Sequence, residues 1–394
     1  MTERQTVLFY CQHALGLGHL VRSLSLAEAL GQQFDVVLLN GGRLPENTTL
    51  PNGVRIVNLP PLGHDSSFNL VCHDPAWTVE AAMRERPRII LDELAITEPA
   101  VVLIELYPFG RKKFEFELLP LLEAVHSMGV ERPRVVCSVR DILVGHRADQ
   151  ARHDERAAGL VNRFFDAILV HSDPQFARLE ATFHPTSPVT VPIHYTGFVT
   201  NSAAQIKVAP AERLHRVLIS AGGGMVGAPL FHVAAKAHRR WYETSGMTTT
   251  VLAGPFAPAP VWSWLQDQAA HLEGFEAVRY LPDLRTEMAR SAVTVSQCGY
   301  NTTMDILRAG VPAVVIPYAE GGEDEQSQRG ERLDRLGVLR CLSPEGLDAD
   351  RLAEAVIAIA TTTPSRVTLD LDGRNASARI IAGICATPLA TVPV

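Results

Sequence analysis

The sequence predicts an α/β protein made of two doubly wound, largely parallel sheets. Three observations lead there. Short β-branched apolar runs alternate with helical patterns along most of the 394 residues. Several of these runs, Val7–Cys11 among them, are continuously apolar, as strands buried on both faces are. The alternation also stops and restarts near mid-chain, and roughly 100–200 residues per domain leaves room for two domains.

In the first half the strand candidates are Val7–Cys11, Asp35–Leu39, Val54–Leu59, Val101–Leu106, Arg134–Val139 and Ala167–His171. Leu20, Leu24, Ala27 and Leu30 recur at helical spacing, as do Leu118, Leu122 and Val125. The stretch His64–Asp74 reads as a long polar loop on the cleft side. The stretch 200–214 is polar, alanine-rich and aperiodic, and reads as a linker. Beyond it, strands are expected at Arg216–Ala221, Thr248–Ala253, Ala292–Ser296 and Pro312–Ile316. Helices are expected at Pro229–Thr244, Asn301–Ala309, Gln326–Leu336 and Ala349–Ala360. The expected organisation is a first domain over 1–199, a linker over 200–214, a second domain over 215–375, and a helix and tail over 376–394 that pack back on the first domain.

Composition narrows the function. Apolar residues make up 46% and charged residues 20%, a globular balance. Lys and Arg number 36 against 43 Asp and Glu, which argues against a chain-wide nucleic-acid footprint while leaving room for a local basic patch, and no nucleic-acid partner is expected. No uncharged apolar run reaches the ~18 residues of a membrane span. Met1–Gln5 runs straight into a strand pattern without a signal-peptide layout, and six scattered cysteines form no CxxC pair. A reducing, cytoplasmic setting is expected. No HExxH or paired histidine spacing occurs among the 14 histidines, so no metal site is expected.

Three motifs carry chemistry. Gly16-Leu17-Gly18-His19 follows the first strand and opens a helix. The third glycine of a dinucleotide fingerprint is missing. His19 is either a general base facing the cleft or a histidine satisfying a local hydrogen bond. Next, Gly222-Gly223-Gly224 ends the first strand of the second domain, and no Gly-Lys-Ser/Thr follows. It is either an anion cradle or a flexible connection. The third motif is Gln297-Cys298-Gly299-Tyr300-Asn301-Thr302-Thr303-Met304-Asp305, followed by Ala309-Gly310-Val311-Pro312. Free N–H groups there, with Asn301 and Thr302, suit phosphate oxygens, and Asp305 one turn on suits a ribose diol. The plainer alternative makes Asn301 or Thr302 an N-cap and Asp305 a solvated charge. Glu105 and Asp141 end apolar strands, where either orients His19, acts as base, or serves as a cap or ion pair. Arg111-Lys112-Lys113 is either a site for an anionic acceptor or membrane surface, or a solvated loop.

The run Gln297–Pro312 resembles the nucleotide-sugar box of GT-B glycosyltransferases. It is similar to the donor box of plant UDP-glycosyltransferases and of the peptidoglycan lipid-linked N-acetylglucosaminyltransferase. The chain as a whole resembles a bacterial branch of predicted glycosyltransferases. Pro108–Lys113, Ser138-Val139-Arg140-Asp141 and Tyr195-Thr196-Gly197 look like that branch too. The resemblance implies a GT-B fold of two Rossmann-like domains facing a cleft. It places Gly222, Gly223, Gly224, Gln297, Gly299, Tyr300, Asn301 and Thr302 around a donor diphosphate and Asp305 on the ribose. Leu281 would meet the nucleobase, and Glu325 and Gln326 the transferred sugar. Gly18, Glu105, Arg111 and Asp141 fall on the acceptor side, with His19 as catalytic base.

Two residues depart from the plant box. Gln297 stands for a histidine, and Asp305 is one methylene shorter than the commoner glutamate. Retaining relatives carry a second acid eight positions before the ribose carboxylate. Gln297 occupies that position here, which favours inversion. The resemblance thus implies transfer from a nucleoside-diphosphate sugar, with a UDP-sugar as the expected donor, without metal or other cofactor. The acceptor would be a small or lipid-linked molecule, reached with or without peripheral membrane contact. A nucleotide-sugar 2-epimerase or hydrolase, or a non-catalytic nucleotide-sugar binder, are the alternatives.

Overall fold

The structure is a computed structural model that describes residues 4–13, 18–44, 48, 50–65, 69–143, 145, 149–200, 208–281, 283–318, 324–362 and 367–387. Gly16 and Leu17, residues 66–68 of the His64–Asp74 loop, residues 201–207 of the linker, Pro282, and residues 319–323 ahead of Glu325 lie outside the described residues. The chain forms two compact units. The first comprises Met1–Leu143, Ala148–Asn201 and Leu369–Val394, and the second Val144–Arg147 and Ser202–Thr368.

In the first unit the elements run β1 (Thr6–Cys11), α1 (Gly18–Leu30), β2 (Asp35–Asn40), β3 (Val54–Asn58), β4 (Leu62–His64), β5 (Leu70–Cys72), α2 (Val79–Thr97), β6 (Val101–Glu105), α3 (Glu115–Ser127), β7 (Arg134–Arg140), α4 (Gln150–Phe164), β8 (Ala167–His171) and β9 (Ile193–Tyr195). Seven of these strands form a parallel sheet in the order β3-β2-β1-β6-β7-β8-β9. The stretch His64–Asp74, expected as loop, instead starts within β4 and carries β5, which form a small antiparallel pair. The β1–β6 junction is where the strand order reverses. Chains diverge there above the carboxyl ends of both strands, and a crevice for ligands opens.

In the second unit the elements run β10 (Leu214–Ser220), α5 (Ala228–Ser245), β11 (Thr248–Leu252), α6 (Ala259–His271), β12 (Phe275–Val278), α7 (Leu284–Arg290), β13 (Ser291–Ser296), α8 (Tyr300–Ala309), β14 (Ala313–Val315), α9 (Glu325–Arg335), β15 (Arg340–Cys341) and α10 (Ala349–Ala360). The parallel sheet has the order β12-β11-β10-β13-β14-β15, so its reversal lies between β10 and β13. Those strands pair with Ser220 opposite Ser296. Both chemical motifs of this half therefore leave the sheet side by side.

The final helix, α11 (Gly373–Ala386), belongs to the first unit and packs on α1. Its Ala378 and Ile381 join Val7, Phe9, Leu26 and Leu30 in one buried cluster. Burying an isoleucine there contributes roughly 1.5–3 kcal/mol. The return begins at Leu369, ahead of the expected residue 376. An extended segment holds it, with Phe198 N bonded to Asp370 O at 2.7 Å and Asp370 N to Asp173 Oδ2 at 3.0 Å. Such pairing is non-local and leaves no periodicity to read.

A buried ionic network pins the carboxyl ends of β1 and β2. Arg86 on α2 has no exposed surface, and its Nε and Nη2 donate to Glu117 at 2.7 and 2.6 Å. It also donates to Gly41 O, Pro60 O and Gln12 Oε1. Tyr10 donates its hydroxyl to the same Glu117 at 2.5 Å. Burial raises the Tyr10 pKa first, and the charge of Glu117 raises it further, so the phenol stays protonated as donor. Removing one partner of such a pair strands the other charge. Arg86→Met is expected to lower unfolding stability by about 3–5 kcal/mol in urea titrations, and adding Glu117→Leu should recover part of that loss.

Candidate functional site

The crevice of the first unit is organised around Glu105, the last residue of β6, which has no exposed surface. His19, in the first turn of α1, places Nδ1 2.6 Å from Glu105 Oε1. Arg22, one turn further along α1, donates to the same oxygen. Arg111 reaches Oε2 at 3.1 Å. The chain returns Arg111 to this place through two non-glycine residues of positive φ, Leu106 at 66° and Arg111 at 63°. Each such conformation costs about 1–3 kcal/mol and persists only where surroundings dictate it. The Leu106 turn is held by its N–H on Ser138 O at 2.8 Å and its carbonyl on Gly110 N–H at 2.9 Å.

Burial alone would raise the Glu105 pKa, but His19, Arg111 and Arg22 outweigh it and hold the carboxyl well below its usual range. Burial lowers the His19 pKa to about 3, against the opposing pull of Glu105 and helped by Arg111 and Arg140. The imidazole is therefore neutral at pH 7. An ionised carboxylate only accepts, so Nδ1 carries the one ring proton and Nε2 presents its lone pair. Glu105 is the carboxylate that orients His19. Asp141 is buried beyond the end of β7. Arg111-Lys112-Lys113 does not behave as one solvated run: Arg111 turns inward to Glu105, while Lys112 and Lys113 are exposed. Gly18 is the first residue of α1. His13, which the motifs did not single out, follows β1 with Nε2 buried and unbonded among the described residues. Burial lowers its pKa.

The crevice of the second unit is built mainly from backbone. Gly222 and Gly224 have φ of 57° and 89°, a region that favours glycine. A Cβ on Gly224 would lie 1.9 Å from Ala253 O, and one on Gly254 would lie 2.6 Å from Gly223 C. The turn thus interlocks with the loop after β11, where Phe256 N donates to Gly223 O at 2.9 Å. Gly254 is a missed member of the site, since its role is a close approach between distant loops. A Cβ on Gly222 or Gly299 meets nothing within 4 Å, so both open onto free space.

Helix α8 starts at Tyr300 with Gly299 as N-cap, in place of the expected Asn301 or Thr302. Glycine brings no side-chain cap to this helix start, and Asn301 and Thr302 fall inside the first turn. Gln297 Nε2 donates to Val226 O at 3.3 Å, which ties this turn to the glycine turn. Gly310, at φ 58°, ends α8 with its N–H on Ile306 O.

Helix α9 braces this turn. Gln326 Oε1 accepts from Cys298 N at 3.0 Å and Tyr318 N at 3.1 Å. Its oxygen is committed to the backbone, so only the amide NH2 is left for the sugar contact expected of Gln326. Arg329, buried one turn on, donates to Cys298 O at 2.8 Å and lies 5.7 Å from the Tyr300 ring centre. Tyr300 is buried, and its ring packs inward instead of lining the free space. Arg329 was missed, although its i,i+3 spacing from Gln326 puts both on one helix face. Glu325 is buried at the start of α9. Asp305 is half-buried on α8, not a solvated charge. Burial raises its pKa to about 6, with Arg285 opposing, Asp283 adding to the rise and Arg308 opposing. Leu281 is half-buried in the loop between β12 and α7.

Residues 219–372, which include this crevice, match the glycosyltransferase family 28 C-terminal domain. A UDP-N-acetylglucosamine–N-acetylmuramyl-(pentapeptide) pyrophosphoryl-undecaprenol N-acetylglucosamine transferase of Methylobacterium radiotolerans is 28% identical over 109 residues, 28% of this chain and 29% of that protein. The same-named protein of a Chelativorans species is 25% identical over 224 residues, 56% of each chain. The chain spans less than two thirds of the length of these curated relatives. The crystal structure of Acinetobacter baumannii MurG superposes with a TM-score of 0.61 at 13% identity, covering 97% of this chain and 100% of that one. The fold is therefore GT-B, with two Rossmann-like units, as the motifs implied.

The contrast between two glycines is testable. Gly224→Ala is expected to cost about 2–4 kcal/mol of stability, because it combines a strained φ with a backbone collision. Gly299→Ala should stay within about 1 kcal/mol of the parent in the same denaturant titration.

Proposed function

We propose that the chain is a glycosyltransferase that moves a sugar from a nucleoside-diphosphate sugar, UDP-linked in our reading, to an acceptor hydroxyl with inversion. One observation carries the reading: the start of α8, with the side-chain-less Gly299 as N-cap, lies beside the glycine turn of Gly222–Gly224, tied to it through Gln297 and Val226. Backbone N–H groups of a helix start and a glycine turn are a cradle of the kind that receives a diphosphate. Asp305, one turn along α8, is placed for the ribose diol that such a diphosphate would carry.

In this mechanism the acceptor docks on the first unit and its hydroxyl gives its proton to His19 Nε2. The oxygen attacks the anomeric carbon opposite the diphosphate. The carbon–oxygen bond to phosphate breaks, and the nucleoside diphosphate leaves with the electron pair. Glu105 stabilises the imidazolium that forms. Backbone N–H groups of the second unit take the charge developing on the leaving group, which is why the proposal needs no metal. The curated relatives are named for a lipid-linked acceptor. In this reading the acceptor is a lipid-linked or a small soluble molecule, with peripheral membrane contact in the first case. No helix among the described residues is long and apolar enough to cross a membrane.

Two side chains separate the roles. His19→Ala is expected to lower kcat by about 10²–10⁴ while UDP affinity, measured by calorimetry, stays unchanged. Asp305→Ala should weaken UDP binding roughly ten- to hundredfold. Product NMR showing a retained anomeric configuration would reject inversion. Sugar isomerisation or full-rate UDP release from donor alone would point to an epimerase or hydrolase, and donor binding without turnover to a simple binder.

The Asp305 carboxylate also sets a pH dependence. Its pKa is raised to about 6, so it is an ionised acceptor above that value and becomes protonated as pH falls through it. UDP affinity should be highest above pH 7 and decline between pH 7 and 5. Asp305→Asn, measured over the same range, removes this component and reports the nucleotide's own titration.

A further inference from the structure

We infer that Arg285 reads the base of the donor nucleotide, donating to a carbonyl oxygen where uracil and thymine carry an acceptor and cytosine an amine. This rests on the donor reading above and extends it to specificity.

Arg285 is the second residue of α7, a few positions after Leu281. Its Nε and Nη1 have no exposed surface, and among the described residues neither has a hydrogen-bond partner. A guanidinium carries five donors and no acceptor, so buried N–H groups of this kind call for an acceptor from elsewhere. The nearby carboxylates do not supply it. Asp283 is engaged with Thr286, accepting from its N–H at 3.1 Å and its hydroxyl at 2.5 Å. Asp305 sits on α8, which packs on α7, and feels the Arg285 charge, yet no ion pair joins the two.

The site thus holds an unmet donor set on α7 and a half-buried carboxylate on α8, close enough to influence each other but not bonded. A nucleoside bridges them: its diol donates to Asp305 and its base accepts from Arg285. The diphosphate does not explain the arginine as well. The cradle for that group is the glycine turn and residues 299–302, whereas Arg285 acts at the Asp305 end, where the nucleoside would lie. An arginine cannot accept, so a base presenting an amine at that edge meets donor against donor. Uracil and thymine present a carbonyl there.

Calorimetry with UMP, UDP and CDP on the full chain tests this, comparing the parent with Arg285→Met and Arg285→Lys. Arg285→Met is expected to weaken UMP and UDP by the same factor, roughly ten- to hundredfold, while CDP changes little. Without ligand, Arg285→Met should melt at or above the parent temperature, because it removes buried donors that the free protein leaves unmet. Equal losses for UDP and CDP would overturn the base assignment. A loss for UDP without one for UMP would place the arginine on the phosphates and overturn it as well. A large drop in melting temperature with unchanged affinities would make Arg285 structural. If the parent binds none of the three nucleotides, the donor reading itself fails, which is a different outcome from a parent that binds and a variant that binds equally well.

Discussion

A carboxylate without exposed surface must be compensated where it stands, and Glu105 is such a group at the end of the central strand β6. Three cationic or hydrogen-donating side chains converge on it from separate stretches of chain. His19 and Arg22 arrive from α1, and Arg111 arrives through a loop that accepts unfavourable backbone angles at Leu106 and at Arg111 itself. The strain and the ion pairs belong together, because the arginine that neutralises Glu105 is the residue whose conformation the loop must tolerate. In return the imidazole is held in one tautomer with one nitrogen free. Behind it, the Arg86–Glu117–Tyr10 network anchors Gln12 and the Gly41 turn, so the floor of the crevice is as constrained as its wall.

The two units meet the demands of ligand binding by different means. Both open at the reversal point of a parallel sheet. In the first, side-chain charges do the work and their desolvation is balanced pair by pair. In the second, backbone N–H groups predominate, and side chains such as Gln326 and Arg329 serve to hold that backbone in place. Dipoles that are already oriented need no reorganisation when an anion arrives, which suits a site that must stabilise charge as it appears.

Much of this was legible in the chain itself. Val7–Cys11 was apparent because a strand buried on both faces needs an unbroken apolar run, and Asp35–Leu39 and Thr248–Ala253 because β-branched and apolar residues cluster in them. The glycine turn and the α8 box stood out because their chemistry is local. What could not be read was long-range. The pairing of Arg86 with Glu117, the convergence of Arg111 on Glu105 and the approach of Gly254 to Gly223 depend on loops distant in sequence. Short β15 and the exposed-edge β12 have too few buried positions to show a pattern. Gln326 was identified as important, but its bond to the Cys298 and Tyr318 amides needed three-dimensional placement to appear. Asp305 looked like either a ligand residue or a surface charge, and only its desolvation separates the two.

The closing helix α11 has a consequence for biosynthesis. Ala378 and Ile381 complete a core whose other members, such as Val7 and Leu30, leave the ribosome long before them. The whole second unit is made in between. At about 5–20 residues per second, the nascent first unit waits on the order of ten to thirty seconds with that face uncovered. A chaperone holding the emerging α1 surface would shield it during that interval. Shortening the polypeptide ahead of Gly373 would make the exposure permanent, with aggregation as the expected fate of the shortened product.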